Sequence, residues 1–566
     1  MIEQKIEKII NETIKSIYNE EFVSKVHLSN LTDIADYQCD DCFALAKIFH
    51  KSPMMIAEEI VAKISANSNF EDYFEKIESK NGFINFVLSN EFIKNSLIEI
   101  VESEKLGVTQ TKTPELYFLD YGGPNCAKPL HVGHLRSPII GESVKRIINF
   151  SGNKTLCDVH LGDFGLQIGE VIYGLKERNI PLNEISLDLL NEIYPNMSAR
   201  IKEDENLANI CAEITKQLQE GNEEYYKYFK IIRDISVNDI KRIYDYMDVH
   251  FDLWMGESDS YKDISSLTEL LNKKGLLLDS QGARVIDISK PDDKKELPPL
   301  IYQKSNGAYL YGTTDLASVY QRVRDYNPDH ILYFADNRQA LHYTQFFRAS
   351  SKAELINEDN LEFYGFGTVN GLDGKPYKTR EGKTPKLDEL FKQVKEILSK
   401  NREMDLEKPE DFDKIVNSVI KFADLQNNTE NSYIFDLEKF SKTEGKTGPY
   451  MLYSYVRLNK VFKKFEEQIE PKLDAKNKNK VEREVKLKIL DFTRVFEKAF
   501  NERKPSILAE YAYDLSTKLN SFYETNRFSD EKNQEYLPSW LYLVKASLKV
   551  LKEILNMLVI SIPEKM

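Results

Sequence analysis

The spacing of apolar residues changes along this chain, and each change predicts a different kind of element. Residues 1–22 repeat apolar positions at helical spacing and read as a long amphipathic helix. Two further helices are predicted, around 42–49 and over 53–65, the latter aligning Ile56, Ile60, Val61 and Ile64. A turn at Asn81-Gly82 leads into alternating residues up to 88, which predict a strand. The stretch 1–110 is therefore expected to be a small α+β module. From 115 to about 180, strand and helix alternate: a strand at 116–121, a helix ending near 150, a strand at 155–160 and a helix at 166–177. That βαβα order implies a parallel sheet with ligands at the carboxyl ends of its strands.

Residues 181–280 turn helical and charged with few glycines, as an insertion does. Strand-like runs return at 283–288, 300–303 and 308–311, the last two joined by Lys304-Ser-Asn-Gly307, a hairpin signal. A helix at 315–326, a strand at 330–335, a helix at 338–349 and a strand at 361–367 follow. Both βα stretches are expected to share one sheet, interrupted by the insertion. After a turn-rich loop at 368–386 the chain reads as helical to its end, with runs at 412–425, 449–467, 481–501, 506–524 and 536–560. The segment 472–480, KLDAKNKNK, is expected to be a mobile loop.

Length and composition narrow the class. The 566 residues suffice for about three to four domains. No apolar run approaches the roughly 18 residues of a membrane helix, and the N-terminus has no continuous apolar core like that of a signal peptide. The expected location is cytoplasmic. Five cysteines do not make a disulfide framework, and Cys39-Asp-Asp-Cys42 has no second ligand pair, so no zinc site is expected. A net charge of −14 argues against indiscriminate nucleic-acid binding. Residues 441–566, however, carry 24 Lys and Arg against 18 Asp and Glu, whereas the remainder carries 53 against 73. Such asymmetry marks either a solvated basic helical face or a module facing nucleic acid.

The chemistry concentrates first at Gly122-Gly123-Pro124-Asn125 and His131-Val132-Gly133-His134, between a strand and a helix. A helix start presents free N–H groups, so this geometry suits phosphate. Gly-Lys-Thr occurs at 382–384 and 445–447, but a P-loop needs a glycine five positions earlier, where Tyr377 and Phe440 stand. The P-loop reading fails. A triphosphate needs cations where charge builds up, and Lys128 lies one turn upstream of the histidines. A second set, Lys375, Lys378, Arg380 and Lys383, occupies the glycine-bearing loop 373–383 directly after a strand.

HxGH early and a basic, KMSKS-like loop late resemble a class I aminoacyl-tRNA synthetase. Longer matches resemble arginyl-tRNA synthetases: Asp120 to Lys128 running into His131-Val-Gly-His-Leu-Arg-Ser137, His160-Leu-Gly-Asp-Phe-Gly165, Tyr311-Gly-Thr-Thr-Asp315, Asp336-Asn-Arg-Gln339 and Asp373-Gly-Lys-Pro-Tyr-Lys-Thr-Arg380. Glu444 to Tyr450 and the C-terminal Ser561-Ile-Pro-Glu-Lys-Met566 resemble the family's anticodon-binding domain; Asp36-Tyr-Gln38 and Gly82-Phe-Ile-Asn85 resemble its N-terminal tRNA-binding domain. The implied fold class is an α/β Rossmann-like catalytic core with a helical insertion, an N-terminal α+β module and an all-α C-terminal anticodon-binding domain. Its expected divisions are 1–110, 111–180, 181–280, 281–390 and 391–566.

The resemblance implies activation of L-arginine by ATP, with Mg²⁺ carried on the nucleotide, and transfer of the arginyl group to tRNA(Arg) by a monomeric enzyme. Pro124, Lys128, His131, Gly133, His134 and Lys378 fall at its ATP positions, with Lys128, His131, His134, Lys378 and Arg380 acting in catalysis. Asp120, Asn125, His134, Tyr311, Asp315 and Gln339 fall at its arginine positions. Asp315 is expected to take the guanidinium, because a carboxylate accepts two parallel hydrogen bonds from it. Two departures stand out. The KMSKS-like loop is degenerate, with Lys128 expected to compensate, and Asp40 stands where the N-terminal motif often has asparagine. The competing readings are a class I synthetase for another amino acid and a non-catalytic RNA-binding relative.

Overall fold

The computed structural model describes residues 2–29, 34–377, 385–400 and 408–566. At the N-terminus α1 (Ile2–Tyr18) buries Ile2, Ile6, Ile10 and Ile14, one residue per turn along a single stripe. The strands β1 (His27–Leu28), β2 (Tyr37–Cys39), β3 (Phe74–Lys80) and β4 (Phe83–Leu88) form an antiparallel sheet in the order β1-β2-β4-β3. Helices α2 (Cys42–Phe49), α3 (Pro53–Ser65), α4 (Phe70–Tyr73) and α5 (Asn90–Glu102) complete this module. Asn81 and Gly82, at φ 54° and 84°, make the left-handed two-residue turn of the β3–β4 hairpin.

The central sheet comes from two separated stretches of chain. The first supplies β5 (Leu116–Asp120), α6 (Arg136–Phe150), β6 (Lys154–Asp158) and α7 (Leu166–Glu177). The insertion follows as α8 (Leu187–Glu203), α9 (Glu205–Gln219), α10 (Glu223–Tyr246), α11 (Glu257–Tyr261) and α12 (Ile264–Lys273), then a small antiparallel sheet of β7 (Leu278–Ser280), β8 (Ala283–Ile286) and β9 (Leu300–Gln303). The second stretch supplies α13 (Tyr311–Tyr326), β10 (His330–Asp336), α14 (Ala340–Lys352) and β11 (Leu361–Phe366). All four long strands are parallel in the order β11-β10-β5-β6, so the expected single sheet is present. Tyr117, Phe118 and Leu119 are all buried, as in a strand covered on both faces. From the neighbours β5 and β10 the chain leaves in opposite directions, to β6 and to β11. A crevice therefore opens at their carboxyl ends.

Beyond the sheet, β12 (Val369–Asn370) and α15 (Leu387–Lys400) lead to the C-terminal helices α16 (Pro409–Leu425), α17 (Leu437–Phe440), α18 (Gly448–Glu466), α19 (Lys480–Leu490), α20 (Phe492–Glu502), α21 (Pro505–Asn526) and α22 (Leu537–Met557), with β13 (Tyr433–Ile434) pairing β12. The N-terminal module is tied to this bundle by Arg483, whose Nη1 and Nη2 donate to both Asp36 carboxylate oxygens at 2.7 and 2.8 Å. The helix start carrying HVGH is tied to it too. Arg136 is 1% exposed, and its Nε donates to Asp424 of α16 at 3.0 Å while Nη1 donates to the carbonyls of Gly367 and Asn431.

Four expectations need correction. The run 308–311 is not a strand: only a single bridge joins Gln303 to Tyr309, and Tyr311 already opens α13, four residues before the expected start. Its Ala-Tyr-Leu-Tyr composition suits a strand, but Thr313 and Thr314 N–H groups turn back to the Leu310 carbonyl. The 338–349 helix begins as a 3-10 turn, Asn337–Gln339, and becomes α-helical at Ala340. The 481–501 run is two helices, broken at Asp491, which precedes α20 and takes an ion pair from Arg494. The 472–480 segment is anchored rather than mobile. Leu473 and Ala475 are buried, Lys472 N–H donates to Pro538 O at 3.0 Å, and Lys486 Nζ donates to Asp474 O at 2.7 Å.

Candidate functional site

His131 ends an extended segment at φ −130° and ψ 172° and caps the 3-10 turn Val132–His134 that leads into α6. The two histidines lock this turn reciprocally. His131 Nδ1 accepts the Gly133 N–H at 3.0 Å, and His134 Nδ1 accepts the His131 N–H at 3.1 Å. An Nδ1 that accepts a backbone N–H carries no proton, so each neutral ring holds its proton on Nε2 as a donor. The ring centroids are 3.9 Å apart. Burial, then His131, then Lys128 push the His134 pKa down to about 3; burial and Lys128 lower that of His131. Both rings are thus neutral donors at physiological pH. Gly133 leaves room for the ring, because a Cβ there would stand 2.7 Å from His131 Cε1 and push the imidazole out of this position.

The turn is also held from across the crevice. Val132 N–H donates to Pro385 O at 3.2 Å, Leu387 N–H donates to Leu130 O at 3.0 Å, and His131 bridges Lys386. The chain leaving the basic loop therefore pairs directly with the HVGH turn. On the entering side, Tyr377 N–H donates to Val369 O at 3.0 Å and its ring packs on Phe435. Lys378, Arg380 and Lys383 lie outside the described residues, whereas both flanks of their loop are fixed. Lys128 is half-buried, with its Nζ 4.9 Å from the centroid of the Tyr194 ring.

The expected arginine-contacting residues divide into two groups. Asp315, one turn into α13, is partly exposed, and its Oδ2 lies 2.5 Å from His342 Nε2. Tyr311, at the start of the same helix, is 67% exposed. Burial raises its pKa, and the charges of Glu257 and Asp315 add to the rise. Asn125 is half-buried at the end of the β5 loop, in a backbone bridge with Gly162, next to buried Pro124. Gln339 is exposed at the entry to α14. Asp120 differs from these. Arg322, itself fully buried, holds its Oδ2 at 2.6 Å and that of Asp158 at 3.2 Å, so the negative charge of Asp120 is met inside the protein.

Glu257 and His342 escaped the sequence reading, and His160 entered it only as part of a family motif. Glu257, first in α11, has its pKa pushed up to about 7 by burial; His160 opposes that shift, while Asp315 and Asp163 add to it. The Asp315 charge thus acts on Glu257, and a guanidinium bound between them would favour the ionised form of Glu257. His342 orients Asp315 from α14. His160 lies 3.4 Å from Asp158 Oδ2 without hydrogen-bond alignment, and burial is outweighed by that carboxylate and Asp120, so its pKa rises to about 9. No local signal marks Glu257 or His342, because Glu257 and Asp315 are far apart in sequence and His342 reaches Asp315 only through the fold. Among the described residues no group of three or more His, Cys, Asp or Glu could hold a metal ion.

A parallel sheet with HxGH at one strand end, bonded to the flank of a late basic loop, and a helical bundle after it define a class I aminoacyl-tRNA synthetase. Known proteins agree. Residues 96–437 match the family model for tRNA synthetases class I (R), catalytic domain, residues 451–566 match the DALR anticodon binding domain, and residues 4–88 match the arginyl tRNA synthetase N terminal domain. Proteins named arginine–tRNA ligase are similar along nearly the whole chain. That of Agathobacter rectalis is 36% identical, with 99% of this chain and 98% of the relative covered; that of Alkaliphilus oremlandii is 37% identical, with 99% of each covered. The crystal structure of arginyl-tRNA synthetase from Plasmodium falciparum superimposes with a TM-score of 0.83 at 26% identity, covering 100% of this chain and 99% of that one. The Thermus thermophilus arginyl-tRNA synthetase shares the fold, with a TM-score of 0.81 at 21% identity and 100% of both chains covered. This chain belongs to the arginyl-tRNA synthetase family.

Proposed function

We propose that this chain is an arginine–tRNA ligase that activates L-arginine with ATP and transfers it to the terminal adenosine of tRNA(Arg). The observation that carries the reading is the pairing of two sites in one crevice. Neutral Nε2–H donors stand at the HVGH turn, and Asp315, held by His342 through one carboxylate oxygen, stands near the start of α13 with Glu257 at the start of α11.

In the first step the arginine carboxylate attacks the α-phosphorus of ATP, the bond to pyrophosphate breaks, and arginyl-adenylate forms. The nucleophile is already an anion, so no general base is required. Negative charge grows on the α-phosphate and the departing pyrophosphate, which is where positioned donors and cations act. His131 and His134 donate through Nε2, and Lys128, Lys378 and Arg380 neutralise the leaving group, with Pro124 and Gly133 letting the nucleotide lie against the turn. Mg²⁺ accompanies the nucleotide and shields its phosphates. Asp315 and Glu257 grip the guanidinium with Tyr311 beside them, while Asn125 and Gln339 serve the backbone end of the amino acid. Asp120 acts one step removed, as the counter-charge of Arg322. In the second step a hydroxyl of the terminal adenosine attacks the arginyl carbonyl and AMP leaves.

The basic bundle supplies a place for RNA bases. Tyr453, Arg457, Lys460, Lys464, Tyr523 and Met566 line a cavity of about 360 Å³, with the Arg457 guanidinium 5.4 Å from the centroid of the Tyr523 ring. Aromatic and guanidinium planes among cations are what unstacked bases need. No helix among the described residues is long and apolar enough to cross a membrane. A monomer acting in the cytoplasm is the setting proposed for this reaction. The test is transfer of radiolabelled arginine to tRNA(Arg) by the purified chain with ATP. Acid-precipitable arginyl-tRNA is expected, and none after prolonged incubation would overturn the reading.

A further inference from the structure

Lys128 sits on a short irregular loop, so something other than its backbone must settle where its ammonium lies. A lysine head on a four-carbon stem samples many positions, and a phosphate site needs it in one. One aromatic ring faces it, and one buried carboxylate feels its charge. Tyr194 of α8 presents its ring to Nζ at 4.9 Å, immediately before Pro195, whose missing N–H interrupts the hydrogen bonding of that helix. Glu170 of α7 is 5% exposed and its Oε2 has no hydrogen-bond partner; burial raises its pKa, opposed first by Lys128 and then by Lys202. The same ammonium lowers the pKa of both His131 and His134.

We propose that Tyr194 is a positioning residue that seats the Lys128 ammonium for the histidine pair, with the buried Glu170 carboxylate adding negative potential. The proposal rests on the phosphate-binding role of Lys128 given above. The chemistry of the seat fits that role. An aromatic face attracts an ammonium without neutralising it, so the full charge stays available to a phosphate. Glu170 adds negative potential from a distance and forms no hydrogen-bonded ion pair that ATP would have to break. Because α8 belongs to the insertion, the seat also makes the nucleotide site sensitive to the placement of that helix.

The test is arginine-dependent ATP–pyrophosphate exchange with tRNA(Arg) present, measured on Tyr194→Ala, Tyr194→Phe, Glu170→Gln, Lys128→Ala and the Lys128→Ala/Tyr194→Ala double variant. Tyr194→Ala is expected to lower kcat/KM for ATP roughly three- to tenfold. Tyr194→Phe keeps the ring face and stays near wild type; Glu170→Gln falls in the same parameter. In the Lys128→Ala background, Tyr194→Ala has no further effect, because what it positions is gone. The seat is overturned if Tyr194→Phe falls as far as Tyr194→Ala, or if Tyr194→Ala costs as much without Lys128 as with it. Lys128→Ala exchanging at the wild-type rate would instead remove the phosphate-binding role itself, and the seat with it.

Discussion

At the scale of single residues, the histidine pair makes the sharpest claim, because its chemistry depends on staying neutral. His134, with its pKa pushed from the usual 6.5 to about 3 by burial, His131 and Lys128, is a donor only through Nε2. A histidine whose folded pKa lies below its unfolded value contributes stability that is fully present above about 6.5 and is lost as pH falls toward 3. The thermal advantage of wild type over His134→Asn is therefore expected to shrink by roughly 1–2 kcal/mol between pH 7 and pH 5. An advantage that grows on acidification would mean that the ring is charged. Asp315→Asn keeps the shape of the guanidinium partner and removes its charge. It is expected to raise KM for arginine roughly 10- to 100-fold, with KM for ATP little changed. Of these residues, the two histidines were singled out by motif and spacing, whereas Asp315 was named only through the resemblance to arginyl-tRNA synthetases. Glu257 and His342 were legible in neither way. Their roles exist only because α11 and α14 are folded against the entry to α13.

At the scale of elements, α6 is the member on which the rest converge. It carries the HVGH turn at its start, and Arg136 at its first position joins Asp424 of α16 and two loop carbonyls in a buried cluster. Removing one partner of a buried ion pair leaves the other charge unpaired. Arg136→Ala is expected to cost roughly 3–5 kcal/mol, read as a lower thermal midpoint. Arg136→Lys restores little, since an ammonium cannot bond a carboxylate and two carbonyls through a planar fork. Replacing Arg136 by Met and Asp424 by Leu together should recover much of the loss, and a double variant as unstable as Arg136→Ala would contradict this. Elements with an unbroken period were readable in sequence: 42–49, 53–65 and 166–177 are helices with those same bounds. The errors fell where tertiary contacts override local pattern. A strand-like Ala-Tyr-Leu-Tyr gave way to a helix start, and a lysine-rich loop proved to be pinned by Leu473, Ala475 and the Pro538 carbonyl.

At the scale of the whole molecule, the fold brings distant stretches of chain to one crevice. β5 and β10 are neighbours although about 200 residues separate them, and the flank of the basic loop at Pro385 bonds to Val132. The N-terminal module and the bundle are joined through Asp36 and Arg483, so the residues resembling a tRNA-binding motif also serve as a clamp between domains. The alternation of strand and helix disclosed this architecture in outline, but not which ends would meet. The central claim is that one crevice joins arginine to ATP. It is tested most directly by ATP–pyrophosphate exchange with each of the twenty amino acids, with and without tRNA(Arg). Exchange is expected with arginine alone and to require tRNA(Arg). Exchange with another amino acid, or none with arginine even when tRNA(Arg) is present, would contradict the claim.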